Sequence, residues 1–109
     1  MASEIFGRTL TAGVSNSESV LLNGVSGHTY GIFSISITEC AGAAETVDLY
    51  IDQSGGGSDF EILSDQALGA NETYVHNDRI VLVDEDHLCA ATASSANVDI
   101  VVSYLDITR

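Results

Sequence analysis

Alternation of apolar and polar side chains is the pattern that most limits what this chain can fold into. Apolar residues occupy alternate positions in Phe33–Ile37, Val47–Ile51 and Val98–Val102. Because successive side chains of a β-strand point to opposite faces, this period of two predicts strands that bury one face. In the last run both faces are largely apolar, which predicts a central or doubly covered strand. No segment of useful length has the apolar spacing of an amphipathic helix, so we expect an all-β protein without substantial helix.

Short strands at regular spacing extend this prediction along the whole chain. The predicted strands are Glu4–Leu10, Glu18–Asn23, Tyr30–Cys40, Thr46–Gln53, Asp59–Ser64, Glu72–Val75, Arg79–Val83, His87–Ala93 and Val98–Ile107. Turns rich in Gly, Asn, Ser and Ala separate them, and the glycine-rich loop Ser54–Ser58 is expected to join two of them as a hairpin. Many short strands divided by such turns predict an antiparallel β-sandwich, of jelly-roll or immunoglobulin-like character.

The N-terminal segment differs from the rest of the chain. We expect residues 1–17 to form an N-terminal strand or arm followed by a linker, and residues 18–109 to form a single β-sandwich domain. The segment Thr11–Ser17 is small and polar, as a linker is. A tethered strand can pair with its own domain or with a neighbouring subunit, and the sequence leaves both arrangements open. Ile5, Phe6 and Leu10 are the candidate contacts with other subunits.

The charge balance excludes several partners. The chain has 16 acidic residues against three arginines (Arg8, Arg79 and Arg109), no lysine, and a net charge of −13. Nucleic acid is bound by neutralising its phosphates with Lys and Arg, so we expect no DNA or RNA partner. Anionic membranes are disfavoured for the same reason. The hydrophobic share of 45% exceeds what a compact monomer of this size readily hides, which favours an oligomer or a docking surface.

The sequence also bears on location and redox state. The start, Met1–Arg8, lacks the basic segment and apolar run of a signal peptide. No stretch approaches the roughly 18 apolar residues of a membrane span. We therefore expect synthesis in the cytosol, with Cys40 and Cys89 as reduced thiols. A single bridge formed after release from a cell is the alternative.

A search for chemistry finds no catalytic pattern. No Gly-x-Ser-x-Gly elbow occurs, and the glycines of Gly55–Gly57 lack the Lys and Ser/Thr of a phosphate loop. The densest polar cluster is Asp84, Glu85, Asp86 and His87, which we interpret as a charged turn between two strands. A weak Ca²⁺ or Zn²⁺ site is the alternative, although the spacing does not fit an EF-hand. We expect no enzyme activity, no cofactor and no metal site.

The order of strands and turns resembles a known group of proteins. The segments that carry the likeness are Val20–Tyr30, Cys40–Val47, Arg79–Leu82, Asp84–Leu88 and Ala93–Ile107. Over roughly residues 20–107 the chain is similar to small virion structural proteins of tailed bacteriophages. Two turns depart from the group, which often has Pro and Lys where this chain has Ser26–His28, and often Gly in place of Glu85–Asp86.

The resemblance implies a β-sandwich building block without activity. On that basis the expected role is a capsid decoration or cement protein that stabilises the head by binding between capsid subunits. The implied partners are the major capsid protein and further copies of the chain, for which we expect a homotrimer, and the implied location is the virion. A tail or fibre component that contacts the host surface is the second interpretation. A soluble Ca²⁺- or sugar-binding module is the third.

Overall fold

The computed structural model describes residues 3–109, so Met1 and Ala2 of the expected arm lie outside the described residues. Nine strands account for most of the described chain: β1 Ser3–Val14, β2 Ser19–Asn23, β3 His28–Glu39, β4 Glu45–Asp52, β5 Asp59–Leu68, β6 Thr73–His76, β7 Ile80–Val83, β8 His87–Thr92 and β9 Val98–Thr108. A 3-10 turn at Gln53–Gly55 follows β4. Within residues 3–109, no helix has the length and apolar character needed to cross a membrane.

The strands form two antiparallel sheets. The first sheet has the order β1-β9-β3, with β6 and β7 both pairing the far edge of β3, and the second sheet has the order β2-β8-β4-β5. The first half of the chain thus pairs in reverse order with the second half. β1 pairs with β9, β2 with β8, β3 with β6 and β7, and β4 with β5. The β-sandwich prediction is confirmed, and this reversed pairing makes it a jelly roll and not an immunoglobulin-like sandwich.

The core lies between the inner faces of the two sheets. Central strands β3 and β9 contribute Ile35, Ile37, Ile100 and Val102, all fully buried. Facing positions of the second sheet supply further buried side chains, including Val47, Leu49, Leu88 and Ala90. β9 is central, as its apolar composition predicted, because it pairs with β1 on one side and with β3 on the other. Burial of these aliphatic side chains is the main stabilising contribution.

The alternation of apolar residues predicted the wrong face for Phe33. The pattern placed it on the same face as Ile35 and Ile37, but the structure leaves it 43% exposed. The cause is a register shift of β3 against β9 between Ile32 and Ser34. Such a bulge inserts one unpaired residue and reverses the facing of the positions that follow. Phe33 is that residue, so its side chain leaves the core while Ile32 and Ile35 both remain in it.

The first strand is longer than the predicted Glu4–Leu10 and includes part of the segment expected as a linker. Residues Thr11–Val14 belong to β1, which pairs with β9 from Ser3–Thr108 to Val14–Val98. A bulge between Thr11 and Val14 includes Gly13, whose φ of +69° suits glycine. This irregularity turns Val14 into the core, where it is fully buried. The connection outside regular structure therefore shortens to the four residues between β1 and β2, and in this structure β1 pairs within its own domain.

Candidate functional site

The outer face of the first sheet carries a row of apolar residues that crosses four strands. Phe6 of β1 lies opposite Leu105 of β9, which lies opposite Gly31 of β3, which lies opposite Val81 of β7. Directly opposed residues share one face of a sheet. Phe6 is 75% exposed and Val81 is 56% exposed. The row is therefore open to a partner.

A groove runs along this row. Its volume is about 390 Å³. Gly31 forms part of the floor, where an added Cβ would meet no atom within 4 Å. The rings of Phe6 and Phe33 meet edge to face with centroids 6.0 Å apart, and such pairs are stabilising. The two aromatic rings come from strands that do not pair with each other, because β9 lies between them. The groove exists only when β1, β9, β3 and β7 are all in place.

A second row extends the exposed apolar surface. Leu10 lies opposite Val101, and Ser36 connects Val101 to Val75 at the other edge. All three hydrophobic residues of this row are exposed. We name the combined surface the apolar face, and its residues are Phe6, Leu10, Phe33, Val75, Val81, Val101 and Leu105. Exposed apolar side chains concentrated on one face of a sheet are typical of an interaction site.

The few basic residues lie close to the apolar face. Arg8 lies opposite Ser103 between the two apolar rows, and Arg79 lines the groove. Two of the three arginines in the chain are therefore on this side of the sandwich. Since Arg is favoured at protein interfaces, they fit the margin of a docking surface.

The outer face of the second sheet is acidic. Asp52 lies opposite Asp59, and Tyr50 lies opposite Glu61. Tyr50 donates its hydroxyl hydrogen to Glu18 at 2.6 Å. Loss of hydration and the neighbouring Asp52 and Glu18 carboxylates raise the pKa of Asp59. Carboxylates this close repel one another and any second acidic surface. One outer face of the sandwich is therefore apolar and the other is acidic.

The polar cluster of the β7–β8 turn holds backbone segments together. The Asp84 carboxylate accepts a hydrogen bond from the Gly27 amide at 2.9 Å and contacts the Arg109 guanidinium. Both interactions lower the pKa of Asp84. The Asp86 carboxylate accepts from the Ser54 amide at 3.0 Å. In residues 3–109 no group of three or more His, Cys, Asp or Glu side chains is arranged to hold a metal ion. The geometry favours the interpretation as a turn.

The candidate contact residues from the sequence separate in the structure. Phe6 and Leu10 lie on the apolar face, whereas Ile5 lies opposite Asp106 on the other side of β1 and is 64% exposed there. Sequence reasoning missed Phe33 and Val81. Phe33 had the spacing of a core residue, and the apolar run Ile80–Val83 was the one local signal that could have indicated Val81.

The two cysteines are free and lie in different environments. Cys40 follows β3 and is exposed, whereas Cys89 lies in β8 and is fully buried. Burial, with the Glu18, Asp52 and Asp59 carboxylates nearby, raises the pKa of Cys89 to about 12. The thiolate is the reactive form of cysteine, so Cys89 is unreactive at neutral pH.

We expect the native protein to react with a thiol reagent at Cys40 alone. Titration with a chromogenic disulfide at pH 8 should show one reactive thiol per native chain and two after unfolding. The Cys40→Ser variant should show none until it is unfolded. Similar reaction rates for both thiols in the native protein would contradict the burial of Cys89.

Comparisons with solved structures find the same fold. A chain from the disulfide-linked pili of Bacillus endospore appendages aligns with a TM-score of 0.62 at 9% identity, covering 99% of this chain and 90% of that chain. A chain from the acid-stable capsid structure of Helicobacter pylori bacteriophage KHP30 aligns with a TM-score of 0.59 at 11% identity, covering 98% and 93%. At such low identity the likeness shows a shared fold. No protein-family model matches the sequence, and no curated protein matches it significantly.

Proposed function

We propose that this chain is a non-enzymatic structural protein of a bacteriophage virion that decorates the capsid by docking its apolar face onto the shell. The observation that carries the proposal is the contrast between the two outer faces of the sandwich. One is a grooved apolar surface with two arginines at its margin, and the other is crowded with carboxylates. The fold shared with a chain of a phage capsid structure supports the same role.

Exposed aromatic side chains with arginine beside them suit a protein that binds a capsid shell. Aromatic side chains that enter a partner's pockets supply most of the binding energy at interfaces, and arginine at the margin adds charge complementarity. Phe6 and Phe33 are exposed and already ordered against each other, so little side-chain freedom is lost on docking. The acidic face would then point to solvent, where like charge keeps neighbouring particles apart.

The proposed partners are the major capsid protein and other copies of the chain, and the proposed location is the virion head. Many equivalent sites on a shell would make even moderate affinity per site sufficient. The proposal needs no chemistry at the surface, because association alone reinforces the joints between shell subunits.

Substitution of Phe33 by serine should weaken binding to phage heads stripped of this protein by about 30-fold, the loss expected of an aromatic interface anchor. Phe60→Ser is the matched control, because Phe60 is also exposed but lies on β5 of the second sheet. Phe33 is chosen over Phe6 because it lies away from the β1 edge of the sheet. Cosedimentation with the stripped heads measures both variants.

Equal losses for both phenylalanine variants, or none for Phe33→Ser, would contradict docking by the apolar face. Imaging of virions labelled with an antibody against the chain tests the location. Label on the head supports decoration, whereas label confined to the tail would replace it with the tail or fibre role.

A further inference from the structure

β1 is an edge strand whose outer side pairs with no other strand of residues 3–109. It runs from Ser3 to Val14 at one end of the first sheet, with β9 as its sheet neighbour. Its residues from Ser3 to Phe6, and Arg8, are exposed. A sheet edge presents unpaired N–H and C=O groups that another strand can take up. The edge of β1 is therefore open to a further strand.

The other sheet edges are protected in ways that β1 is not. β5 presents Asp59, Glu61 and Asp65 within one strand, and the repulsion between such strands opposes their pairing. β6 and β7 have four residues each, and β2 has five. β1 has twelve residues, one acidic and one basic. Because β1 is long and has no net charge, it is the edge strand best suited to pair with a second copy of itself.

The two charges of β1 specify how such a pair would align. Glu4 and Arg8 are both exposed, and neither takes part in the ion pairs found among residues 3–109, which are His28–Asp106 and Arg109–Asp84. When two copies of β1 pair in antiparallel orientation, Glu4 of each copy can lie opposite Arg8 of the other copy. That alignment places Phe6 opposite Phe6 of the second copy. Opposite charges directly across a strand pair stabilise it, and like charges destabilise it.

Other alignments of the same two strands lose this complementarity. Moving the centre from Phe6 to Arg8 brings two guanidinium groups together, and moving it to Glu4 brings two carboxylates together. A centre at Gly7 leaves Arg8 facing Phe6. Only the alignment centred on Phe6 opposes every charge of β1 with its complement.

We propose that two copies of the chain associate through antiparallel β1–β1 pairing over Ser3–Thr9, with Phe6 at the two-fold axis. The two first sheets then form one continuous sheet. Because Glu4, Phe6 and Arg8 point to the outer face, the two apolar faces lie side by side. This isologous contact closes as a dimer, in place of the trimer expected from the sequence. It depends on the edge of β1 and stands independently of docking onto a shell.

Charge reversal tests the alignment directly. Arg8→Glu and Glu4→Arg should each weaken dimerisation on the order of tenfold, because each creates two like-charged pairs across the axis. The double variant Glu4→Arg/Arg8→Glu should regain the dimer, because it restores opposite charges with exchanged positions. Arg79→Glu changes the net charge as Arg8→Glu does, but lies away from β1, and should leave dimerisation unchanged. Sedimentation equilibrium measures the association of all four variants.

Cross-linking tests the position of the axis. In a Cys40→Ser background, Phe6→Cys should form an interchain disulfide in a glutathione redox buffer, since opposed Cα atoms of an antiparallel pair lie about 4.5–5.5 Å apart. Leu10→Cys should not, because Leu10 lies far from its own copy in this alignment. A trimeric mass, a double variant as weak as the single ones, or equal cross-linking at both positions would overturn the proposal. So would a monomer that shows no preferred cross-link at Phe6.

Discussion

Replacement of Ile100 by alanine is expected to lower the free energy of unfolding by about 2–5 kcal/mol, the range measured for large aliphatic side chains truncated in cores. Ile100 is fully buried in central strand β9 and lies opposite Ile37 of β3 and Thr11 of β1. The loss combines the apolar area that is no longer removed from water with the cavity left between the sheets. Three strands pack around this position, so the surroundings cannot easily collapse to fill it.

Val101→Ala is the matched control for this prediction. Val101 is the next residue of β9, but it points to the outer face and is 37% exposed. We expect its substitution to change the free energy of unfolding by about 1 kcal/mol or less, since it shortens a partly exposed side chain and lowers strand propensity. Urea unfolding followed by circular dichroism measures both variants. Similar losses for the two positions would mean that the two faces of β9 are not buried and exposed as the structure has them.

Glu39→Gln is the second substitution expected to have a large effect. The Glu39 side chain is buried at the end of β3. Its carboxylate accepts hydrogen bonds from the backbone amides of Ala41, Gly42 and Ala43 at 2.7, 2.8 and 3.2 Å. It also accepts from the Asn71 amide at 2.9 Å. These bonds connect the β3–β4 turn to the β5–β6 turn. In Glu39→Gln the side-chain NH2 group would face a backbone N–H group that the carboxylate now accepts from, and a hydrogen bond would be lost. We therefore expect Tm at pH 7 to fall by roughly 5–10 °C.

The same side chain should make stability depend on pH. The hydrogen bond from Asn71, with those from Ala41, Gly42 and Ala43, holds the pKa of Glu39 below its usual value of 4.5. A carboxylate whose pKa is depressed by folding contributes stability above its unfolded pKa, and this contribution disappears as the pH falls through the folded pKa. The difference in Tm between the native protein and Glu39→Gln should therefore shrink as the pH is lowered below about 4.5.

Thermal unfolding between pH 7 and pH 3 measures this effect. Glu85→Gln removes the same charge from an exposed turn position and serves as the control, with little expected change in Tm at any pH. A Tm difference for Glu39→Gln that stays constant across the range would mean that the hydrogen bonds to the ionised carboxylate do not contribute as described.

The burial of Glu39 could not be predicted from the neighbouring residues. Its position at the end of an alternating strand is visible in the sequence, but its burial is not, because its four donors come from two turns. One donor, Asn71, is 32 residues away along the chain. An acidic residue at a strand end is ordinarily solvated, and nothing in the neighbouring residues indicates otherwise.

The groove of the apolar face likewise depends on contacts between residues that are distant along the chain. Phe6 and Phe33 meet only because β9, from the far end of the chain, lies between β1 and β3. The bulge that turns Phe33 outward is a mismatch between β3 and β9, and neither strand shows it alone. Sequence reasoning found Phe6 and Leu10 because apolar residues near a chain end stand out, and it missed Phe33 because its spacing fitted the core.

The sequence by itself determined the strands, their approximate ends, the sandwich class and the acidic character that argues against nucleic acid. These follow from side-chain alternation, turn composition and charge, which are properties of neighbouring residues or of the whole composition. Only the tertiary structure decided the jelly-roll order, the register shift at Phe33 and the division into an apolar and an acidic outer face. Alternation places each side chain on one of two faces, but the pairing of distant strands decides which face is covered and which residues become neighbours.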